Sequence, residues 1–410
     1  MTSSTEGVTR EAETSGAIEL RPASSQSEGP DQKSGFRPLR PPRFHPRWSS
    51  GATASDDYSI HQIAPYIGRM KASIARSLVE SWTSDGDLIV DPFCGCGTVA
   101  VEAAASRRGI IAGDWNPYAA LLTRAKLFPP LNPLAAEVRL QKVWKASRDL
   151  LREQDFRKVP KWVRQFFHPR TLRSALAFRD ACVDMKEDFI LACFLGILHH
   201  QRPGFLSYPS SHLVPYLRDQ KYPRSIFPQL YEERDVLTRM QAKVRRTLER
   251  MPNVYAKRRR VLEADSRQFP TVRGIQAVIT SPPYMNELDY VRDNRLRLWF
   301  LMRSVPRYFE LSGGDRERAF TTLLQTVCLR LASAIEGGGY CILVLGDAVP
   351  GGRRGGRTAA AARALFETHS GFKRFRLKGV YHDTIPDIRR SRRECRGTKQ
   401  ETVLVYQKVL

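Results

Sequence analysis

From about residue 58 onward the chain alternates between two hydrophobic periods. Ile74-Ala75-Arg76-Ser77-Leu78-Val79-Glu80-Ser81-Trp82 spaces apolar positions three and four apart, which predicts an amphipathic helix. Leu88-Ile89-Val90 is a short apolar run, read as a buried strand, that stops at Asp91-Pro92-Phe93. Val99 to Ala105 predicts a helix of small residues, and Gly109-Ile110-Ile111-Ala112-Gly113 a second strand ending at Asp114. Two strands joined by a helix form a βαβ unit, the crossover that parallel strands require. A helical stretch follows at Pro117 to Lys126. Residues 130–250 are then helix-leaning and basic, with scattered aromatics and no strand pattern. Strand patterns resume at Arg260 to Asp265 and at Gln276 to Thr280, which runs directly into Ser281-Pro282-Pro283-Tyr284. Others lie at Tyr340 to Asp347, Phe375 to Tyr381 and Thr402 to Tyr406. Five or six buried strands with helices between them predict an α/β fold with a doubly wound, Rossmann-like sheet. The long middle segment interrupts that sheet and is too long for a loop, so it is read as a helical insertion.

Charge changes the picture. The 410 residues carry 66 Lys+Arg against 42 Asp+Glu, a formal net charge of +24. Such an excess of cations favours polyanionic partners, nucleic acid first and an anionic membrane surface second. No run of about 18 apolar residues occurs, so nothing is expected to span a membrane. The start, Met1-Thr2-Ser3-Ser4-Thr5-Glu6, lacks the charged and apolar stretches of a signal peptide. Cys94, Cys96, Cys182, Cys193, Cys328, Cys341 and Cys395 are odd in number, sparse and never spaced CxxC. That pattern fits a reducing cytosol, with neither a disulfide framework nor a zinc site. A cytoplasmic protein is the expectation. Residues 1–57 lack periodicity and read as a disordered tail. It ends in the basic, Pro-rich arm Arg37-Pro38-Leu39-Arg40-Pro41-Pro42-Arg43.

Two strand ends carry candidate chemistry. The first is Asp91-Pro92-Phe93-Cys94-Gly95-Cys96-Gly97-Thr98, between a strand and a helix. Glycines two apart permit a sharp bend and close approach of a ligand. Open sheets bind ligands outside the carboxyl ends of their strands. The helix start can hold an anionic group such as a carboxylate, and Asp91 can accept from a cationic amine. A Gly-rich turn with no ligand is the competing reading of this motif alone. There is no third glycine and no Gly-Lys-Ser/Thr, so dinucleotides and triphosphates fit poorly. Asp114, ending the next strand, is placed to chelate ribose hydroxyls. Together these features favour an adenosine-containing ligand without a phosphate chain. Cys94 and Cys96 have no further ligands at metal-binding spacing, and no metal is expected.

The second is Thr280-Ser281-Pro282-Pro283-Tyr284. Consecutive prolines fix two φ angles and remove two amide donors. The Ser281 and Pro282 carbonyls are left as acceptors, which suits a substrate bearing an exocyclic amino group. Tyr284 offers a face for a base to stack on, worth about 1–3 kcal/mol in nucleic-acid binders. A rigid Pro-Pro turn that merely ends a strand is the competing reading.

Together the two motifs resemble the amino-methyltransferases, S-adenosylmethionine-dependent enzymes that methylate exocyclic amino groups of DNA bases. In that family a DPFxGxGT turn holds the cofactor and an (S/D/N)PP(Y/F) turn holds the target amine. The matching residues are Asp91, Phe93, Gly95, Gly97 and Thr98 for the first, and Ser281, Pro282, Pro283 and Tyr284 for the second. Asp114 matches the family's ribose-binding acidic residue. Asp265 matches the position that contacts the adenine amino group. Pro65-Tyr66-Ile67-Gly68-Arg69 looks like the segment that closes over the methionine end of the cofactor. Cys96 departs from the Ser that many members carry there. The resemblance covers roughly 60–128 and 258–347 and implies a methyltransferase sheet, with a cofactor-binding part read at 58–129 and an acceptor part at 256–410; it says nothing specific about the helical insertion, read at 130–255 as a candidate for target recognition. It implies double-stranded DNA as partner, with the target base flipped out of the helix. Ser at the first motif position favours cytosine N4 over adenine N6.

Four basic runs, Lys243-Val244-Arg245-Arg246, Lys257-Arg258-Arg259-Arg260, Arg353-Arg354-Gly355-Gly356-Arg357 and Arg389-Arg390-Ser391-Arg392-Arg393, are candidates for phosphate contact. Asn286, Asp289, Tyr290 and Asp293 are placed to border the base pocket, with helix capping by Asp293 as the alternative. His168, His199 and His200 have no partner at a useful spacing. The competing functions are the same chemistry on RNA and a non-catalytic DNA-binding protein on the same scaffold.

Overall fold

The computed structural model describes residues 57–66, 68–210, 221–254, 257–283, 294–304, 316–348, 358–385 and 399–410. The tail with its basic arm at 37–43, Ile67, Tyr284, Asn286, Asp289, Tyr290, Asp293 and the arginine runs at 353–357 and 389–393 lie outside the described residues.

Seven strands form one sheet: β1 (Leu88–Asp91), β2 (Gly109–Asp114), β3 (Arg259–Glu263), β4 (Ile275–Thr280), β5 (Ile335–Ala348), β6 (Phe375–Ile385) and β7 (Lys399–Lys408). Their order is β3-β2-β1-β4-β5-β7-β6. β1 to β5 are parallel, and β7 lies antiparallel between β5 and β6. Every apolar run of the sequence therefore enters the sheet, one or two more than the number expected. β7 alone runs against the others, and it sets β6 at the far edge in the same direction as β5.

Period-2 alternation divides the strand residues between two cores. Ile89, Ile279, Ile342 and Val344 face one layer, where they meet Ile74, Leu78 and Ala100. Val90, Val278, Cys341, Leu343 and Leu345 face the other, against Phe320, Leu324 and Phe366. Burial on both faces is why these strands read as continuous apolar runs.

Among the described residues the α-helices are α1 (Ala72–Trp82), α2 (Thr98–Ala105), α3 (Pro117–Leu127), α4 (Pro133–Asp149), α5 (Pro169–Asp184), α6 (Asp188–Leu198), α7 (Val236–Leu248), α8 (Arg295–Met302), α9 (Arg316–Ala332) and α10 (Thr358–Thr368), with a single turn at Lys161–Arg164. Three of them start on a proline at the first turn behind a capping side chain. Asn116 accepts from the Tyr118 amide, Asn132 from Ala135 and His168 from Arg170. His168, unassigned from sequence, is thus a helix cap.

Between β2 and β3 the described residues contain helices and no strand. α4 to α7 build a third core around Leu140, Val143, Leu172, Phe178, Phe194 and Met240. That core also takes in Val101, Tyr118, Leu121 and Leu122 of α2 and α3. Every α3 residue except Arg124 is buried, because α3 lies between the sheet and the inserted helices. No helix of the described residues is long and apolar enough to cross a membrane.

Candidate cofactor and acceptor site

The sheet order reverses between β1 and β4: successive strands run outward from β1 on one side and from β4 on the other. Such a switch point opens a crevice at the carboxyl ends of the two strands. β1 and β4 pair directly, Ile89 with Ala277 and Val90 with Val278. The glycine turn and the double-proline turn therefore leave adjacent strands at the same sheet edge. Thr280 Oγ1 donates to Asp91 Oδ1 at 2.6 Å, and the Phe93 amide donates to the same oxygen at 3.3 Å. Burial pushes the Asp91 carboxyl up to about 7 against these two hydrogen bonds.

Local bonds hold the first turn in shape. The Cys94 amide donates to the Gly113 carbonyl (2.9 Å), and the Gly97 amide to the Cys94 carbonyl (2.8 Å). Gly97 sits at φ +76°, where side chains are strained, and a Cβ there would lie 2.7 Å from Thr123 Oγ1. Its glycine is thus demanded by the packing of α2 on α3. Gly95, at φ +50°, faces the Tyr66 ring, whose Cε1 would be 3.4 Å from a Cβ. Thr98 opens α2 and is buried. Phe93 packs on the other core of the sheet, beside the β1 end.

Asp114 closes the turn from β2. Its Oδ2 accepts the Gly95 amide and its Oδ1 the Asn116 amide, both at 2.9 Å. Burial still lifts its carboxyl to about 6. Asp265 lies at the same edge after β3, and the neighbouring Ala264 amide donates to the Asp114 carbonyl. The Asp265 carboxylate is held by the Arg267 side chain and amide, which keep it below the usual carboxylate range. Any adenine amine that met Asp265 would share it with Arg267. Ser281, Pro282 and Pro283 follow β4 at the crevice, with Pro282 buried.

Four contributors went unnoticed in the sequence. Thr280 ends a strand and heads the proline motif, and nothing in the sequence pairs it with Asp91. Thr123 donates to the Gly95 carbonyl at 3.1 Å from α3. Trp115, 42 % exposed, follows Asp114 at the crevice edge. A large aromatic straight after a strand-ending acid was the available signal. Lys126 is fully buried, and its Nζ donates to the Cys96 carbonyl at 2.5 Å. Burial lowers its pKa.

The segment before α1 lies across this turn. His61 Nε2 and Arg76 Nε meet opposite oxygens of the fully buried Glu102 at 2.7 and 2.8 Å. Tyr118 Oη donates to the Pro65 carbonyl at 3.0 Å. Tyr66 is thereby held against Gly95.

The basic runs divide. Lys257, Arg258 and Arg260 are exposed but stand at the amino end of β3, the edge opposite the crevice. Arg259 donates to the Leu127 carbonyl and stacks on Phe128. Lys243 donates to the Gln62 carbonyl at 2.7 Å, and burial lowers its pKa. Phosphate contact was the expectation for these runs; position and packing commit Arg259 and Lys243 elsewhere. By contrast, Ala348 at the end of β5 pairs with Lys399 at the start of β7, and Lys399 with Ile385. These described strand ends, which flank the other two runs in sequence, therefore lie at the crevice edge.

Residues 63–149 match a family model described as UPF0020, RMKL-like, methyltransferase domain. No curated protein matches the chain. Similar solved structures include TrmN from Thermus thermophilus (13% identity, TM-score 0.35, covering 85% of this chain and 52% of that one). An rRNA methylase from Streptococcus thermophilus is 8% identical with TM-score 0.33, covering 83% and 98%. The rRNA methyltransferase aviRa from Streptomyces viridochromogenes is 11% identical with TM-score 0.31, covering 86% and 93%. The chain spans about half the length of TrmN. Strand order, more than these loose superpositions, defines the fold. The matched segment is similar to a methyltransferase domain, and the sheet around it is a doubly wound, Rossmann-like one with its switch point between β1 and β4.

Proposed function

We propose that this chain transfers a methyl group from S-adenosylmethionine to an exocyclic amino group of a base in DNA, with cytosine N4 as the acceptor. The observation that carries this reading is the Asp91–Thr280 contact, which joins the ends of β1 and β4 at the switch point. A cofactor bound on the first strand end then faces an acceptor bound on the second.

The residues present suit the cofactor. The carboxyls of buried Asp91 and half-buried Asp114, at the ends of β1 and β2, are acceptors for its ammonium and ribose hydroxyls. Gly95, Gly97, Thr98 and Phe93 shape the bend between them, and Asp265 bounds the far side. S-adenosylmethionine supplies an electrophilic methyl on a sulfonium.

An amine conjugated into a base is a poor nucleophile. Hydrogen bonds from that amine to the Ser281 hydroxyl and the Pro282 carbonyl return electron density to nitrogen. Pro283 keeps the turn rigid and removes a competing amide. Tyr284 stacks on a base that has left the duplex. The proton lost from nitrogen goes to solvent.

Support for a nucleic-acid acceptor comes from the +24 charge and from two basic runs flanked in sequence by strand ends at the crevice edge. Support for DNA and for cytosine comes from the resemblance of residues 281–284. The insertion is assigned to target recognition.

The test uses the full chain, tritiated S-adenosylmethionine, DNA from a methylation-deficient host and total RNA, followed by digestion to nucleosides. Label in N4-methylcytosine of DNA is expected. Label in N6-methyladenine moves the acceptor, and label in RNA alone makes the enzyme an RNA methyltransferase. Tight cofactor binding with no transfer would overturn the DNA reading and the catalytic one together.

A further inference from the structure

The helix that follows the double-proline segment does not pack on the sheet. Leu296, Leu298, Trp299 and Phe300 of α8 belong to the core of the inserted helices. Chain leaving Pro283 at the crevice thus ends in a helix embedded in the insertion.

Two arginines fix that helix. Arg297 is 2% exposed, and its guanidinium donates to the Leu195 carbonyl (Nε, 3.1 Å) and the His199 carbonyl (Nη2, 2.6 Å). Those carbonyls belong to the C-terminal end of α6, where the helix dipole favours a cation. At the other end, Arg179 of α5 donates to the Phe300 carbonyl at 2.6 Å and to the Leu301 carbonyl. Arg179 also pairs with Asp180, which in turn pairs with Arg303.

The same end of α6 reaches the cofactor side. A Cβ on Gly196 would collide with the Ile63 carbonyl, in the segment that leads to Tyr66. One helical turn therefore touches both the segment covering the glycine bend and the guanidinium that seats α8.

Resting on the amino-methyltransferase reading, we propose that Arg297 is a positioning residue for the acceptor: by joining α8 to the end of α6, it makes the helical insertion set where the acceptor base stands relative to the cofactor. Loss of the guanidinium removes its hydrogen bonds to the Leu195 and His199 carbonyls and leaves α8 free to shift, and a displacement near 1 Å costs about 10²-fold in rate. The cofactor strand ends lie on the sheet and keep their geometry.

The experiment compares wild type with Arg297→Met and Arg297→Lys as full chains. Calorimetry gives S-adenosylmethionine affinity, steady-state transfer to DNA gives kcat and KM, and hydrogen exchange gives local stability. Arg297→Met should lower kcat by roughly tenfold or more while cofactor affinity stays within about twofold. Arg297→Lys, which keeps a cationic donor to the same carbonyls, should recover most of the loss. Exchange should quicken over 295–302 and stay unchanged over 88–114. Equal losses of affinity and kcat, or exchange raised evenly, would overturn the proposal. If Arg297→Met fails to fold, Arg179→Ala releases the other end of α8 and should show the same division. If wild type methylates neither DNA nor RNA, the functional reading falls and the acceptor role of Arg297 with it, whereas an active wild type with an unimpaired Arg297→Met overturns the Arg297 proposal alone.

Discussion

Thr280 donates a 2.6 Å hydrogen bond to Asp91 from 189 positions away in the chain. Both groups are buried, so the bond fixes the relative height of two strand ends and half-satisfies a carboxyl that burial opposes. Thr280→Val keeps the shape and removes the donor. It should cost about 1–3 kcal/mol of stability and weaken S-adenosylmethionine binding, with denaturant unfolding and calorimetry as the measurements. An unchanged protein would show that the two ends are aligned by backbone pairing alone.

Asp91 and Asp114 predict opposite pH responses for the free and bound protein. Their folded-state values of about 7 and about 6 lie above the ordinary 3.8. Folding therefore favours the protonated forms: their contribution to stability is full below about pH 4 and lost as pH rises through about 6 to 7. Cofactor binding needs the ionised forms and should tighten over that same rise. Thermal unfolding with and without S-adenosylmethionine between about pH 5 and pH 8 checks both signs. Stabilisation by the cofactor that weakens as pH rises would contradict the roles given to these carboxyls.

Gly97→Ala meets two obstacles, a left-handed backbone and the Thr123 side chain. A loss of about 1–3 kcal/mol is expected. Adding Thr123→Ala should restore only part of it, because the positive φ remains. Full recovery in the double variant, read by urea unfolding, would place the whole cost in the clash.

Glu102 pairs with both His61 and Arg76 while fully buried. Glu102→Gln leaves Arg76 without its charge partner, which should cost about 1–3 kcal/mol. Loosening of the segment that carries Tyr66 should raise the dissociation constant for S-adenosylmethionine. Stability lost with cofactor affinity unchanged would detach that segment from the site.

Much of this was legible from residues. The strand runs at 88–90, 109–113 and 276–280 are apolar on both faces because parallel strands are covered twice, and each runs into a polar residue, Asp91, Asp114 or Thr280, at the edge where the site is proposed. The reversal of strand order that brings Asp91 beside Thr280 was implied by motif resemblance, since no local pattern states which strands pair. Thr123, Lys126 and Arg297 were invisible for a different reason. Each acts on backbone carbonyls of a distant segment, and such partners leave no periodicity. The Lys257–Arg260 run illustrates the converse: charge density is readable from sequence, whereas the edge of the sheet that displays it is not.

The division of labour between the two strand ends is tested most directly by measuring tritium transfer and cofactor affinity together in wild type, Asp91→Asn and Tyr284→Ala. Asp91→Asn should lose cofactor binding and transfer in parallel. Tyr284→Ala should bind S-adenosylmethionine as wild type does while transfer to DNA falls roughly fivefold to 150-fold, the equivalent of about 1–3 kcal/mol of lost stacking. Parallel losses in both variants, or a Tyr284→Ala enzyme that still transfers at the wild-type rate, would contradict a crevice with its cofactor on β1 and its acceptor on β4.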